Sequence, residues 1–193
     1  MEAATVNLKT EALKNGIIWG VINIVIFLVM WYLLRDLIGG YVHTGISFAI
    51  GIALAVFFCI DMRKKAGGYW TFGQALWPIF VTFVLSMGLA YVFTIIFGNY
   101  IDTSYPDFMK ASVLEKSESM YKSIGFSQEQ ISVALAKVEE TTDKQFKPTF
   151  FEGIVGFGIA AILYFIGALI FALIFKRANP NPYNLNLKEE QVS

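Results

Sequence analysis

The stretch DMRKKAGGYWTFGQALWPIF, residues 61–80, decides how this chain is read. Three consecutive cations, Arg63, Lys64 and Lys65, run into Gly67-Gly68, then Tyr69-Trp70, then a long apolar run. Two readings compete: a glycine-rich loop that cradles a phosphate, and a chain reversal at a membrane surface. The phosphate reading needs a Gly-Lys-Ser/Thr after the glycines, and none follows. The reversal reading gives each residue a role. Gly67 and Gly68 supply a permissive backbone, and Tyr69 and Trp70 are aromatics of the water–lipid boundary. Thr71 with Gln74 forms a capping box for the first amides of a new helix. Pro78 lacks the N–H that would bond Gln74 and is expected to kink that helix, leaving residues 71–77 partly along the interface. Arg63, Lys64 and Lys65 then lie in the headgroup zone, where binding anionic lipid is their expected second role.

The rest of the chain agrees. Its 193 residues carry 15 Lys+Arg and 15 Asp+Glu, a balance that argues against a nucleic-acid partner. Only 16% are charged while 56% are hydrophobic, against about a quarter charged in soluble domains. Residues 16–34, 37–60, 71–101 and 153–175 contain no Asp, Glu, Lys or Arg. Roughly 20 apolar residues in a helix cross a bilayer, and lipid leaves backbone groups no other partner than the helix itself. The expected fold is therefore all-α: an integral membrane four-helix bundle with an extramembrane amphipathic helical hairpin between spans 3 and 4. Residues 1–101 hold an N-terminal cytoplasmic segment and three spans, about 16–36, 40–60 and 71–99. Residues 102–148 form the extracytoplasmic hairpin, and 149–193 hold the fourth span, about 150–176, and a cytoplasmic tail. The first span is too long for a signal-peptide core and reads as an uncleaved anchor. Lys9 and Lys14, Arg63 to Lys65, and Lys176 with Arg177 all fall on one side, so both termini are expected in the cytoplasm.

Each span carries small or mildly polar residues at helical spacing: Gly16, Gly20 and Asn23; Gly40, Thr44, Ser47, Gly51 and Ala55; Thr82, Ser86, Ala90, Thr94 and Gly98; Gly153, Gly156, Ala160 and Gly167. Helices in lipid associate by close approach across such residues, which predicts a compact bundle with little room for a pore. Asn23 reads as an interhelical hydrogen-bond donor. The alternative is a polar path lined by Asn23, Thr82, Ser86 and Thr94.

Between spans 3 and 4, one helix is expected from Pro106 to before Gly125, and a second from Ser127, capped with Gln130. Met109, Val113, Met120 and Ile124 on the first, in an arc that Lys116 interrupts, and Ile131, Leu135 and Val138 on the second, form an apolar face. That face packs on the protein itself or on lipid, or it docks a partner. Glu118 with Lys122, and Glu140 with Lys144, are helix-stabilising pairs. Thr149 and Glu152 make a further capping box, which is the stronger reading of Glu152 than a proton carrier.

Catalytic and metal chemistry is not encoded in any recognisable pattern. One histidine, His43, and one cysteine, Cys59, cannot make the usual zinc sets. His43 reads as an interfacial anchor near Tyr41, and no cofactor is expected. The segment RKKAGGYWTFGQAL resembles the basic–Gly-Gly–aromatic–Phe-Gly-x-Ala stretch of an uncharacterised bacterial family, domain of unknown function 4199. YPDFMKASV and GFSQEQISVALAKVEE are similar to that family's outer helices, and the resemblance runs over roughly residues 9–177. It implies a four-span bacterial inner-membrane protein and carries over no site residues. The expected role is non-enzymatic: a scaffold or accessory subunit of a membrane complex, with membrane lipids, a membrane-protein partner or a second copy as its contacts. A small carrier or channel is the alternative.

Overall fold

A computed structural model of the chain describes residues 7–38 and 41–180, with the backbone alone at Tyr41 and Val42. The expected small-residue position Gly40, the Tyr41 side chain and the tail beyond residue 180 lie outside the described residues. The described residues form six α-helices: α1 (Leu8–Leu33), α2 (Tyr41–Lys65), α3 (Phe72–Ile96), α4 (Ser104–Ser123), α5 (Gln128–Phe146) and α6 (Phe150–Phe175). A 3-10 turn, Arg35–Leu37, follows α1, and a π-helical turn, Phe97–Ile101, prolongs α3. Four helices are long and apolar enough to cross a membrane: α1, α2, α3 with its extension, and α6. This is an all-α, membrane-type fold.

The helix ends follow local chemistry. α1 starts earlier than the apolar run because the Asn7 side chain accepts the Lys9 N–H at 3.0 Å and caps it. α3, α5 and α6 open with the capping boxes Thr71/Gln74, Ser127/Gln130 and Thr149/Glu152. Gly67, Gly68 and Gly125 have φ near +87°, a conformation only glycine adopts without strain, and make the two reversals.

The largest interface joins α1 and α3, and the next joins α3 and α6. A Cβ added at Gly16 would lie 2.9 Å from Leu85 Cβ, and one at Gly20 2.9 Å from Leu89 Cβ. The two glycines, one turn apart, therefore set the α1–α3 separation, as the small-residue reading expects. α6 packs differently: Gly153 and Gly167 receive the Tyr91 hydroxyl and the Phe83 ring at 3.6 and 3.8 Å. Those glycines accept large side chains, not a neighbouring backbone. Trp19 joins the layers, stacking on Phe58 at 5.6 Å and meeting Phe83 edge-on at 5.4 Å.

α2 departs from expectation. Ala55, Phe58, Cys59 and Met62, in its second half, are buried in the core. Residues 44–49, in its first half, are exposed, and nothing lies within 4 Å of a Cβ added at Gly45 or Gly51. Gly51 and the small residues before it thus make no close packing, whereas Ala55 does; α2 stands away from the other three helices over its first half. The compact bundle expected from four matching stripes holds in the half where α2 joins the core and opens toward the hairpin, where the first half of α2 splays from the other three helices.

α4 and α5 form a hairpin seated on one end of the bundle. Its base is an aromatic cluster in which Trp31, Phe97 and Tyr105 are buried, with Phe27, Phe108 and Phe146 packed against them. Tyr105 and Pro106 close on Gly98, where an added Cβ would sit 3.2 and 3.1 Å from them.

Candidate functional site

At the end bearing the cations, the structure treats the three sequence-nominated residues unequally. Lys65 Nζ lies 2.6 Å from Glu11 Oε2 and 2.7 Å from Asp61 Oδ2, and the buried Asn15 amide donates to that same Asp61 oxygen at 3.3 Å. Lys65 is committed to this network. Lys64 is exposed, and the Arg63 guanidinium lies 5.9 Å from the Phe175 ring centroid. Lys176 and Arg177, both exposed, arrive at the same end from α6. The cations available to an anion therefore include Arg63 and Lys64 with Lys176 and Arg177.

Trp70 is not the boundary aromatic that its position suggests. It is 2% exposed, and its indole N–H donates to the Phe175 carbonyl at 2.7 Å. Its backbone N–H donates to the Arg177 carbonyl at 3.1 Å and its carbonyl accepts the Arg177 N–H at 3.0 Å. The α2–α3 loop thus clasps the end of α6 and satisfies a carbonyl that the helix leaves open. Tyr69 does remain at the surface, under the Arg177 guanidinium at 5.4 Å. Within residues 71–77 Ala75 is fully buried beside Trp70 in the core cluster, while Thr71, Gly73, Gln74 and Trp77 are exposed.

The hairpin end is held by a second polar clasp. Trp31 Nε1 donates to Asp102 Oδ2 at 2.9 Å, while Asp102 Oδ1 accepts from the Ser104 amide and hydroxyl at 3.0 and 2.6 Å. The Ser104 hydroxyl, then Trp31, hold the Asp102 carboxyl below its usual range. The Arg35 guanidinium lies over both the Trp31 and Phe108 rings, 4.0 and 4.4 Å from their centroids. Lys116 Nζ donates to the Ile38 carbonyl at 3.0 Å. Burial pushes the Tyr105 phenol up to about 12.

The expected docking face is largely used inside the protein. Met109 packs on the Trp31 cluster, Ile131 is buried, and Val113, Leu135 and Val138 are half-buried. α4 and α5 are also tied by Lys110 to Glu139 and Asp143, both at 2.9 Å, and by Lys147 to Asp107 at 2.8 Å. The two expected i,i+4 pairs, Glu118–Lys122 and Glu140–Lys144, form at 2.6 Å. Of the expected face, Met120 and Ile124 stay exposed, together with Phe126 and Val133 around the far end of the hairpin.

The splay of α2 opens space near the hairpin end. A cavity of about 250 Å³ lies between α1, α2 and α4, and His43 lines it together with Asn23 and Tyr105. A second, of about 400 Å³, runs between α2 and α6 from Ser47 to Phe171. A third, about 820 Å³, is bounded by α3, α5 and α6, with Asn23 of α1. Asn23 borders two of these spaces, and among the described residues its amide meets no hydrogen-bonding partner. The interhelical donor role expected for it is not seen. Thr82 and Ser86, expected on a polar path, are buried; Thr82 donates to the Pro78 and Ala12 carbonyls, and Ser86 to that of Phe83. Among the described residues no three His, Cys, Asp or Glu side chains gather into a metal-sized group.

Residues 14–177 match the family described as protein of unknown function (DUF4199), and the chain belongs to that family. No curated protein and no solved structure matches it.

Proposed function

We propose that this DUF4199 protein is a non-enzymatic integral protein of a bacterial inner membrane, acting as a scaffold or accessory subunit of a membrane complex. Its hairpin lies outside the membrane and both termini face the cytoplasm. Support for the orientation comes from the gathering of Lys64, Arg63, Lys176 and Arg177 at the end opposite the hairpin. The observation that carries the role is the hairpin's construction. Its base is fixed by Trp31, Asp102 and the aromatic cluster, whereas Met120, Ile124 and Phe126 at its far end are uncovered. A rigid mount under an apolar end suits presentation to a partner, since little ordering entropy is then lost on binding.

The test is affinity purification of the full chain in two mild detergents. Wild-type protein recovers a stoichiometric membrane-protein partner, and Ile124→Asp with Met120→Asp loses it while the helical circular dichroism is unchanged. Partner-free protein from both detergents sinks this reading. A carrier is the second reading, favoured by the cavity that Asn23 and Thr94 line; solute flux in liposomes that ignores Thr94→Trp removes it.

A further inference from the structure

The 820 Å³ cavity is polar at one end and apolar at the other. At its mouth stand Lys144 of α5 and Glu152 of α6, a cation and an anion, with Thr141 and Gln145 beside them. Asn23 of α1 and Thr94 of α3 also line it, and Met87, Ile159 and Ala160 form the apolar part down to Tyr164. Tyr164 also borders the space between α2 and α6. Glu152 and Tyr164 are separated by twelve positions of one helix, a run of roughly 18 Å at ~1.5 Å per residue, close to the reach of a long acyl chain. The volume falls within the usual range for a small-ligand site, about 300–1,000 Å³.

The polar end says what kind of molecule fits. An unpaired amide such as that of Asn23 is costly where lipid surrounds the helix, and a hydrogen-bonding guest removes the cost. Lys144 is bridged to Glu140 at 2.6 Å on the exposed side of α5, a pairing weak enough for a phosphate to share. Glu152 uses one carboxylate oxygen, Oε2, in its capping box with the Thr149 amide and hydroxyl, which leaves Oε1 for a second donor.

We propose that this cavity binds one zwitterionic phospholipid from the surrounding bilayer. Its phosphate meets Lys144, its ammonium meets Glu152, and one acyl chain runs past Ile159 and Ala160 toward Tyr164. The occupant is committed by the pair of opposite charges at the mouth, which an anionic lipid headgroup satisfies only in half.

The test is native mass spectrometry of the full chain, delipidated in detergent and reloaded from vesicles of equal phosphatidylethanolamine and phosphatidylglycerol. Wild type is expected to retain a single phospholipid and to favour phosphatidylethanolamine roughly tenfold, the ratio given by a single well-made charged contact. Gly156→Leu and Ala160→Phe fill the apolar part and are expected to lose it; a Cβ at Gly156 meets only the Tyr91 hydroxyl, at 4.0 Å, so there is room to fold. Ile174→Phe, on the lipid-facing surface away from the cavity, keeps it. Glu152→Gln retains the capping box chemistry and is expected to keep a bound lipid but lose the preference. Wild type that carries no lipid, that holds both lipids equally, or that fills the cavity with a second copy of itself overturns the proposal. So does retention unchanged in both filling variants. The preference in wild type and its loss in Glu152→Gln decide the matter even should a filling variant not fold.

Discussion

Replacing Gly20 by alanine should weaken this protein, although the same exchange strengthens most helices. Alanine is the better helix former by about 1 kcal/mol. Against that gain stands the geometry at the α1–α3 seam. The new Cβ would lie 2.8 Å from Leu89 Cδ1 and 2.9 Å from Leu89 Cβ. Carbon atoms prefer about 3.5–4.0 Å, so the overlap is roughly 0.6–1 Å. A side-chain rotation can move Cδ1, but Cβ is fixed to the backbone, and the helices themselves must part. Overpacking of this kind costs about 1–3 kcal/mol, and parting the helices also loosens the identical contact of Gly16 with Leu85 one turn away. Set against the propensity gain, the net is a loss of up to about 2 kcal/mol for Gly20→Ala. Gly51→Ala is the internal control, because nothing lies within 4 Å of its added methyl; there the propensity term acts alone and stability rises by up to about 1 kcal/mol. Denaturant titration in mixed micelles, followed by far-ultraviolet circular dichroism, measures both. Opposite signs are expected. A stabilised Gly20→Ala would refute the claim that α1 and α3 are held by glycine-to-leucine contact, and a destabilised Gly51→Ala would refute the splay of α2.

The Trp70 clasp makes two graded predictions in the same titration: Trp70→Phe strips the hydrogen bond from the Phe175 carbonyl and costs about 1–3 kcal/mol, and Trp70→Ala, which also empties the site, costs about 3–5 kcal/mol. Asp102 should make the hairpin's attachment acid-sensitive. Its folded pKa is lowered, so its contribution is complete above the unfolded value, about 3.9, and fades as pH falls through the folded one; the protection of α4 amides relative to their intrinsic exchange rate should fall below about pH 4 in wild type, and a wild type no more acid-sensitive than Asp102→Ala would count against the clasp. For orientation, a Cys59→Ser background carrying Lys64→Cys or Ser119→Cys should label from opposite faces of sealed vesicles, and labelling from one face contradicts the proposed topology.

The linear sequence determined what depends on the solvent and on neighbours along the chain. Four uncharged stretches can bury their backbone only as helices in lipid, and that constraint acts on each stretch alone. Capping boxes at Thr71, Ser127 and Thr149 span three residues, and the Gly67-Gly68 reversal needs only its own backbone, so these too were legible. The hairpin's internal pairs at i,i+4 belong to the same class. Tertiary structure decided which of several equivalent residues meet. Four small-residue stripes look alike in sequence, yet Gly16 and Gly20 touch a neighbouring helix while Gly51 faces open space, because helix spacing is fixed by which pairs of surfaces match and not by either surface alone. Trp70 beside Tyr69 gives no sign that one is buried against Phe175 and the other exposed; their partner lies more than a hundred residues away. For the same reason the meeting of Asn23, Lys144 and Glu152 around one cavity could not be read from three separate helices: a void is a property of how elements fail to touch, and no single segment carries it.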